Sequence, residues 1–167
     1  MRAAPLHEEG GPEVVRVEEW PDPVAGPGEA LVAIEATSLN RLDVWIRRGL
    51  PSVPKPRILG ADGVGRIVGL GHGAHGVAIG DRVVIDPTTS CGACAACRRG
   101  DGPLCPALAV VGEHRDGTHA ELVAVPARNL HPVPRGLSAA EAASFGLVFE
   151  TAWRMLVTRA RVLPGEW

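Results

Sequence analysis

Apolar and polar residues alternate with a period of two along most of the chain, the pattern of strands with one buried face. Thr118–Val125 alternates cleanly, and Glu29–Ser38 is a long strand in which Val32, Ile34 and Ala36 share one side. Shorter strand-like runs lie at Met1–Leu6, Glu13–Glu19, Asp81–Ile85 and Ala109–Val111, while Ile58–Val68 reads as a turn feeding a strand. Turn residues separate these runs: Glu9-Gly-Gly-Pro12, Pro21-Asp22-Pro23, Gly26-Pro27-Gly28 and the loop Pro51–Pro56. Short strands punctuated in this way predict a mainly β fold, a closed or partly open barrel.

The period lengthens in two places. Asn40–Arg48, closed by Gly49, is a short helix whose Leu42, Trp45 and Ile46 fall on one packing stripe. At Ser138-Ala-Ala-Glu141 a capping box opens a helix running to about Phe145. A second helical run from about Phe149 to Arg161 sets Ala152, Met155, Leu156 and Ala160 on one face, and Pro164-Gly165 ends it. The expected organisation is a β body over 1–137, containing a cysteine lobe at 90–108, followed by a helical segment over 138–167.

Composition narrows the function classes. With 46% apolar residues, a net charge of -2 and 167 residues, the chain can bury a core and offers no electrostatic case for nucleic acid or membrane. Among 17 basic residues only Lys55 is lysine, a bias towards Arg codons and not a phosphate-binding surface. There is no N-terminal apolar h-region and no long apolar run, so the expected location is cytoplasmic.

All four cysteines sit in Cys91-Gly-Ala-Cys94-Ala-Ala-Cys97-Arg-Arg-Gly-Asp-Gly-Pro-Leu-Cys105. Small residues between the sulfurs let a backbone wrap one ion, and Arg98 and Arg99 can offset thiolate charge. Disulfides between cysteines three apart are strained. An iron–sulfur half-motif wants three residues before its last cysteine, and here there are seven. Zinc is the preferred metal, and four sulfurs leave no open position, so the site should be structural.

Gly69-Leu-Gly71-His-Gly-Ala74 matches the dinucleotide fingerprint G-x-G-x-x-A. That fingerprint works only where a helix begins, so that its amides meet the pyrophosphate. Gly73, Gly76 and Gly80 break the following residues, and a surface loop is expected instead.

The cysteine lobe, Ile58-Leu-Gly-Ala-Asp-Gly-Val-Gly65, Gly80-Asp-Arg-Val83, Gly112–Glu121 and Asn129–Ser138 together resemble the N-terminal GroES-like domain of the medium-chain dehydrogenase/reductase (zinc-type alcohol dehydrogenase) superfamily. In that family a Rossmann domain follows Pro164-Gly165-Glu166, so the chain looks like the first half of an enzyme. The resemblance implies structural zinc on Cys91, Cys94, Cys97 and Cys105, and NAD(P) in the full-length enzyme. It also implies a small-molecule substrate and homo-oligomeric assembly.

The catalytic zinc ligands of the family do not carry over: Asn40, Ala61 and Leu147 stand at those positions. Asn40 and Asp43, with Trp45, resemble the Asn-x-x-Asp segment of zinc-independent quinone oxidoreductase-like members. The resemblance thus implies catalytic roles for Asn40, Asp43 and Asp62, and cofactor contacts for Asn40 and Thr151. The implied reaction is quinone, enone or carbonyl reduction. Asn40 could instead cap its helix, Asp43 pair with Arg47, and Thr151 simply pack. Glu113 and His114 offer a replacement metal site, which would favour alcohol oxidation, or else hydrogen-bonding duty. A zinc-stabilised module without enzymatic activity is the remaining reading.

Overall fold

The computed structural model describes residues 1–50 and 53–166; residues 51 and 52 of the expected loop, and residue 167, lie outside the described residues. Eleven strands are present among the described residues: β1 (Arg2–Ala3), β2 (Pro5–Leu6), β3 (Glu18–Glu19), β4 (Glu29–Thr37), β5 (Arg57–Ile58), β6 (Gly63–Leu70), β7 (Arg82–Ile85), β8 (Thr88–Thr89), β9 (Ala109–Val110), β10 (Leu122–Pro126) and β11 (Leu130–Pro132). Four α-helices accompany them: α1 (Arg41–Arg47), α2 (Ala95–Arg98), α3 (Ala139–Ala143) and α4 (Gly146–Trp153). The body is a five-stranded antiparallel sheet in the order β10-β4-β6-β7-β11. Three two-stranded pairs, β1 with β3, β2 with β5 and β8 with β9, complete the mainly β body expected from the sequence.

Alternation decides which side chains fill it. Ala30 and Val32 from β4, Ile67 from β6, Val83 and Ile85 from β7, and Val123 and Val125 from β10 form the main buried cluster. The expected single face of β4 is divided. Ile34 packs on the main cluster, whereas Ala36 packs on a second one under α3, with Val64, Ala142 and Ala143. The register of β4 against β6 shifts between Ile34 and Ala36, and such an irregularity turns a strand's side chains.

Four expectations need correction. Glu13–Glu19 is not one strand: Pro12 starts a 3-10 turn over Pro12–Val14, and only Glu18–Glu19 pairs. Proline's fixed φ and missing N–H suit that first turn and not a ladder. Residues 118–121 precede β10; the Thr118 and His119 N–H groups donate to the Gly60 and Leu59 carbonyls, drawing this segment across the turn before β6. In α1, Ile46 is buried and Leu42 packs beside it, but Trp45 is 56% exposed and leaves the predicted stripe. Finally, α4 begins at Gly146 and not near Phe149, and it continues as a π-helix over Arg154–Ala160. Nothing packs over this segment: no residue from Thr151 to Glu166 is buried, so Ala152, Met155, Leu156 and Ala160 make no buried face, and Met155 is 61% exposed.

The capping box forms as expected, with Ser138 Oγ accepting from Glu141 N–H and Glu141 Oε2 accepting from Ser138 N–H at 2.9 Å. No helix starts in 71–80. Gly71 has a packing reason instead: a Cβ there would come within 1.9 Å of the Gly26 carbonyl oxygen. Close pairing of the two loops, through Gly71 N–H to Glu29 O and Gly28 N–H to His72 O, requires the bare backbone. Among the described residues no helix is long and apolar enough to cross a membrane.

Candidate functional site

Strands β8 and β9 pair Thr88 with Val110 and Thr89 with Ala109, and the chain between them is the cysteine lobe. The four Sγ atoms all lie within 4.8 Å of one another. Cys94 and Cys97 Sγ are 3.5 Å apart, and Cys91 and Cys97 Sγ are 3.9 Å apart. Four sulfurs about 2.3 Å from one zinc would sit about 3.8 Å from each other, so the donor set fits a tetrahedral ion.

Backbone N–H groups already point at the sulfurs: Cys94 N–H at Cys91, Cys97 N–H at Cys94, and the Cys91 and Ala107 N–H groups at Cys105. Such outer hydrogen bonds orient thiolate ligands. The Ala93 and Cys94 N–H groups lower the Cys91 thiol to about 6. The Ser90 hydroxyl lowers that of Cys97. Cys94 moves the other way, to about 11: the Cys97 N–H lowers it, but burial and the neighbouring thiols prevail. Sulfurs this close resist carrying several negative charges together, which a divalent cation would relieve. Arg98 does not face the sulfurs; its guanidinium donates to the Ala93 carbonyl at 2.6 Å.

The second constellation lies where α1, the turn before β6 and α4 converge. Asn40, Asp43 and Asp62 are all buried there, at 7%, 6% and 2% exposure. Asp43 Oδ2 accepts from Asn40 N–H at 2.6 Å and Oδ1 accepts from Gly60 N–H at 3.0 Å. Asp43 therefore ties the start of α1 to the turn at Gly60 and does not pair with Arg47. The Asn40 side chain takes part in a capping box with Asp43, as its helix-capping alternative expects, and its Nδ2 donates to Asp62 Oδ2 at 3.0 Å. Ser38 Oγ donates to the same oxygen at 3.0 Å, and Leu147 N–H donates to Asp62 Oδ1 at 2.7 Å.

Thr151 is not brought into this network. Its hydroxyl donates to the Leu147 carbonyl at 2.7 Å, one turn back along α4. His114 Nδ1 accepts from the Val110 N–H at 3.2 Å, with Glu113 3.8 Å away, so its ring nitrogen serves a turn. The sequence reading missed Glu150, which sits beside Thr88 and within the influence of Asp86 and Asp62. Its side chain keeps an exposed surface; desolvation of the rest first, and those two carboxylates next, push Glu150 up to about 7 against the Thr88 hydroxyl, which lowers it. Its place in Glu-Thr-Ala-Trp153, next to Thr151, is the signal that could have found it.

Comparison with known proteins gives these sites a context. Residues 26–135 match the alcohol dehydrogenase GroES-like domain family. An uncharacterized zinc-type alcohol dehydrogenase-like protein of Haemophilus influenzae is 39% identical over 75% of this chain and 37% of its own length. A solved NAD-dependent alcohol dehydrogenase is 48% identical, with a TM-score of 0.94, over 99% of this chain and 49% of that one. The cobalt and zinc bound thermostable alcohol dehydrogenase of Pyrobaculum aerophilum is 33% identical, with a TM-score of 0.90, over 99% and 50%. The chain thus spans about half or less of the length of these relatives.

Proposed function

The chain belongs to the alcohol dehydrogenase GroES-like domain family of the zinc-type medium-chain superfamily, and from that premise we propose that it is the barrel half of a nicotinamide-dependent oxidoreductase. It would work with a Rossmann half that follows the helical segment over 138–167. Zinc would be held by Cys91, Cys94, Cys97 and Cys105 as a structural ion stiffening the lobe. A bound NAD(P)H supplies the hydride.

The substrate class we assign is a quinone, enone or other small carbonyl compound. The carrying observation is the carboxylate of Asp62 with its three donors, Ser38, Asn40 and Leu147. Where zinc-type members place metal ligands, this chain has Asn40, Ala61 and Leu147, two of them joined through Asp62. An amide carries two N–H donors. One holds Asn40 against Asp62; the other can polarise a substrate carbonyl as it gains negative charge, in the manner of an oxyanion hole. Asp43 acts by fixing the backbone at Asn40, and Asp62 by fixing its side chain, so both are positioning residues. Thr151 would border the nicotinamide from the exposed face of α4.

Metal content per chain, measured by elemental analysis on purified protein, tests this reading. One zinc is expected. Two would mean a second, catalytic metal, and alcohol oxidation would replace carbonyl reduction as the conclusion.

A further inference from the structure

The four sulfurs of the lobe are not equivalent. Cys91 is exposed, Cys94 and Cys97 are half-buried, and Cys105 is buried. An agent arriving from solvent therefore meets Cys91 first. Cys97 Sγ lies 3.9 Å from Cys91 Sγ and 3.5 Å from Cys94 Sγ. Cys94 is nearer but stands only three residues from Cys97, and its sulfur is fixed as the cap of α2, accepting from Cys97 N–H. Cys105 Sγ is fixed by two donors, the Cys91 and Ala107 N–H groups. Cys91 and Cys97, six residues apart, need only close by about 2 Å to reach the 2.05 Å of a disulfide.

The lobe also bears on the helix that ends the chain. No residue from Thr151 to Glu166 is buried, and the ion pair this segment makes among the described residues is with the lobe. Arg154 Nη2 donates to Asp101 Oδ1 at 2.8 Å. Pro103 lines one cleft together with Phe149 and Trp153. Asp101 and Pro103 both stand between Cys97 and Cys105, so the path of the cysteines sets where these two residues lie.

We propose that Cys91 and Cys97 are a peroxide-sensitive pair, whose oxidation to a disulfide releases the metal and the hold of the lobe on Arg154. The release step rests on the zinc reading above. The Cys91 thiolate attacks one oxygen of a hydroperoxide, the O–O bond breaks, and Cys91 becomes a sulfenic acid as hydroxide or alkoxide leaves. The Cys97 thiolate then attacks the Cys91 sulfur. An S–S bond forms, the S–O bond breaks, and hydroxide leaves. Two thiolates have thus given two electrons to one peroxide. Disulfide sulfurs lack the charge that binds a divalent ion, and the two thiolates left, Cys94 and Cys105, are half of a tetrahedral set. A thiol reductant reverses the step by exchange.

Peptide mapping by mass spectrometry of the 167-residue chain after hydrogen peroxide tests this, with released zinc counted by a colorimetric chelator. A Cys91–Cys97 disulfide is expected, with one zinc released for each disulfide formed, and a thiol reductant with added zinc should restore both. In the metal-free chain, Cys94→Ser should still form this disulfide, whereas Cys91→Ser should slow thiol loss on the order of tenfold. A Cys94–Cys97 disulfide, or sulfinic acid at Cys91 without a crosslink, overturns the pair. Amide exchange over 146–160 should quicken on oxidation; unchanged exchange there overturns the hold on Arg154. A chain that takes up no zinc overturns the zinc reading and the release step with it, while the disulfide map of the same sample judges the pair separately.

Discussion

Asp62 Oδ1 lies 2.7 Å from the backbone nitrogen of Leu147, joining the turn before β6 to the first turn of α4 across 85 positions of sequence. An anion at a helix N-terminus meets unpaired N–H groups and the positive end of the helix dipole. Because Oδ2 of the same carboxylate accepts from Ser38 and Asn40, one buried group sets both a helix and the candidate reactive amide. Asp62→Ala orphans all three donors and should cost at least about 3 kcal/mol, since each unsatisfied buried group costs about 1–3 kcal/mol. Urea unfolding reads this, and an unchanged midpoint would show that the carboxylate holds nothing.

Gly146 makes the same contact testable from the other side. A Cβ at this position would lie 2.5 Å from Asp62 Oδ1, and the buried carboxylate has little room to retreat. Gly146→Ala should destabilise the chain by about 1–3 kcal/mol, the usual range for overpacking. In an Asp62→Ala background that penalty should shrink, because the clashing atom is gone. Equal penalties in both backgrounds would place the strain elsewhere.

Asn40→Ala should lower turnover of the enzyme on the order of 10²-fold, as removal of an oxyanion donor does. The loss should fall mainly in kcat, because the amide is proposed to act on charge that develops only as hydride arrives. Kinetics indistinguishable from wild type would remove Asn40 from the chemistry.

Removing zinc with a chelator should loosen the lobe over 90–108 and leave the sheet standing. The lobe joins the body through the two-residue pairing of β8 with β9, whereas the barrel core draws on β4, β6, β7 and β10. Amide exchange should quicken around Cys91–Cys105 and stay slow at Val32 and Ile67. Loss of the whole far-ultraviolet dichroism signal on chelation would contradict that locality.

Acid should weaken the contact between Glu29 and Arg115. Burial raises the Glu29 carboxyl, but the Arg115 guanidinium at 2.6 Å and the Gly26 N–H outweigh it, leaving the group below its ordinary value. A carboxyl depressed on folding adds stability above its unfolded pKa, and that stability is lost as pH falls through the folded one. Glu29→Gln should therefore flatten the acid limb of a stability–pH curve. A curve superimposable on wild type would mean the pair contributes nothing.

Much of this architecture is legible in the chain itself. Period-two alternation places β4 and β10, Ser138 and Glu141 announce their capping box, and the cysteine spacing gathers four sulfurs without help from distant residues. Local chemistry specifies these features, so sequence suffices. The rest depended on contacts between residues far apart. Nothing in the local pattern says that Asp62 would meet Leu147, that Asp43 would turn from Arg47 to Gly60, or that Gly71 would serve a loop–loop approach. Trp45 left its stripe because one face of a seven-residue helix buries only what its neighbours can cover. Glu150 is the sharpest case. A glutamate is an ordinary acid until folding sets it near Asp86 and Asp62; the tertiary structure alone creates that field.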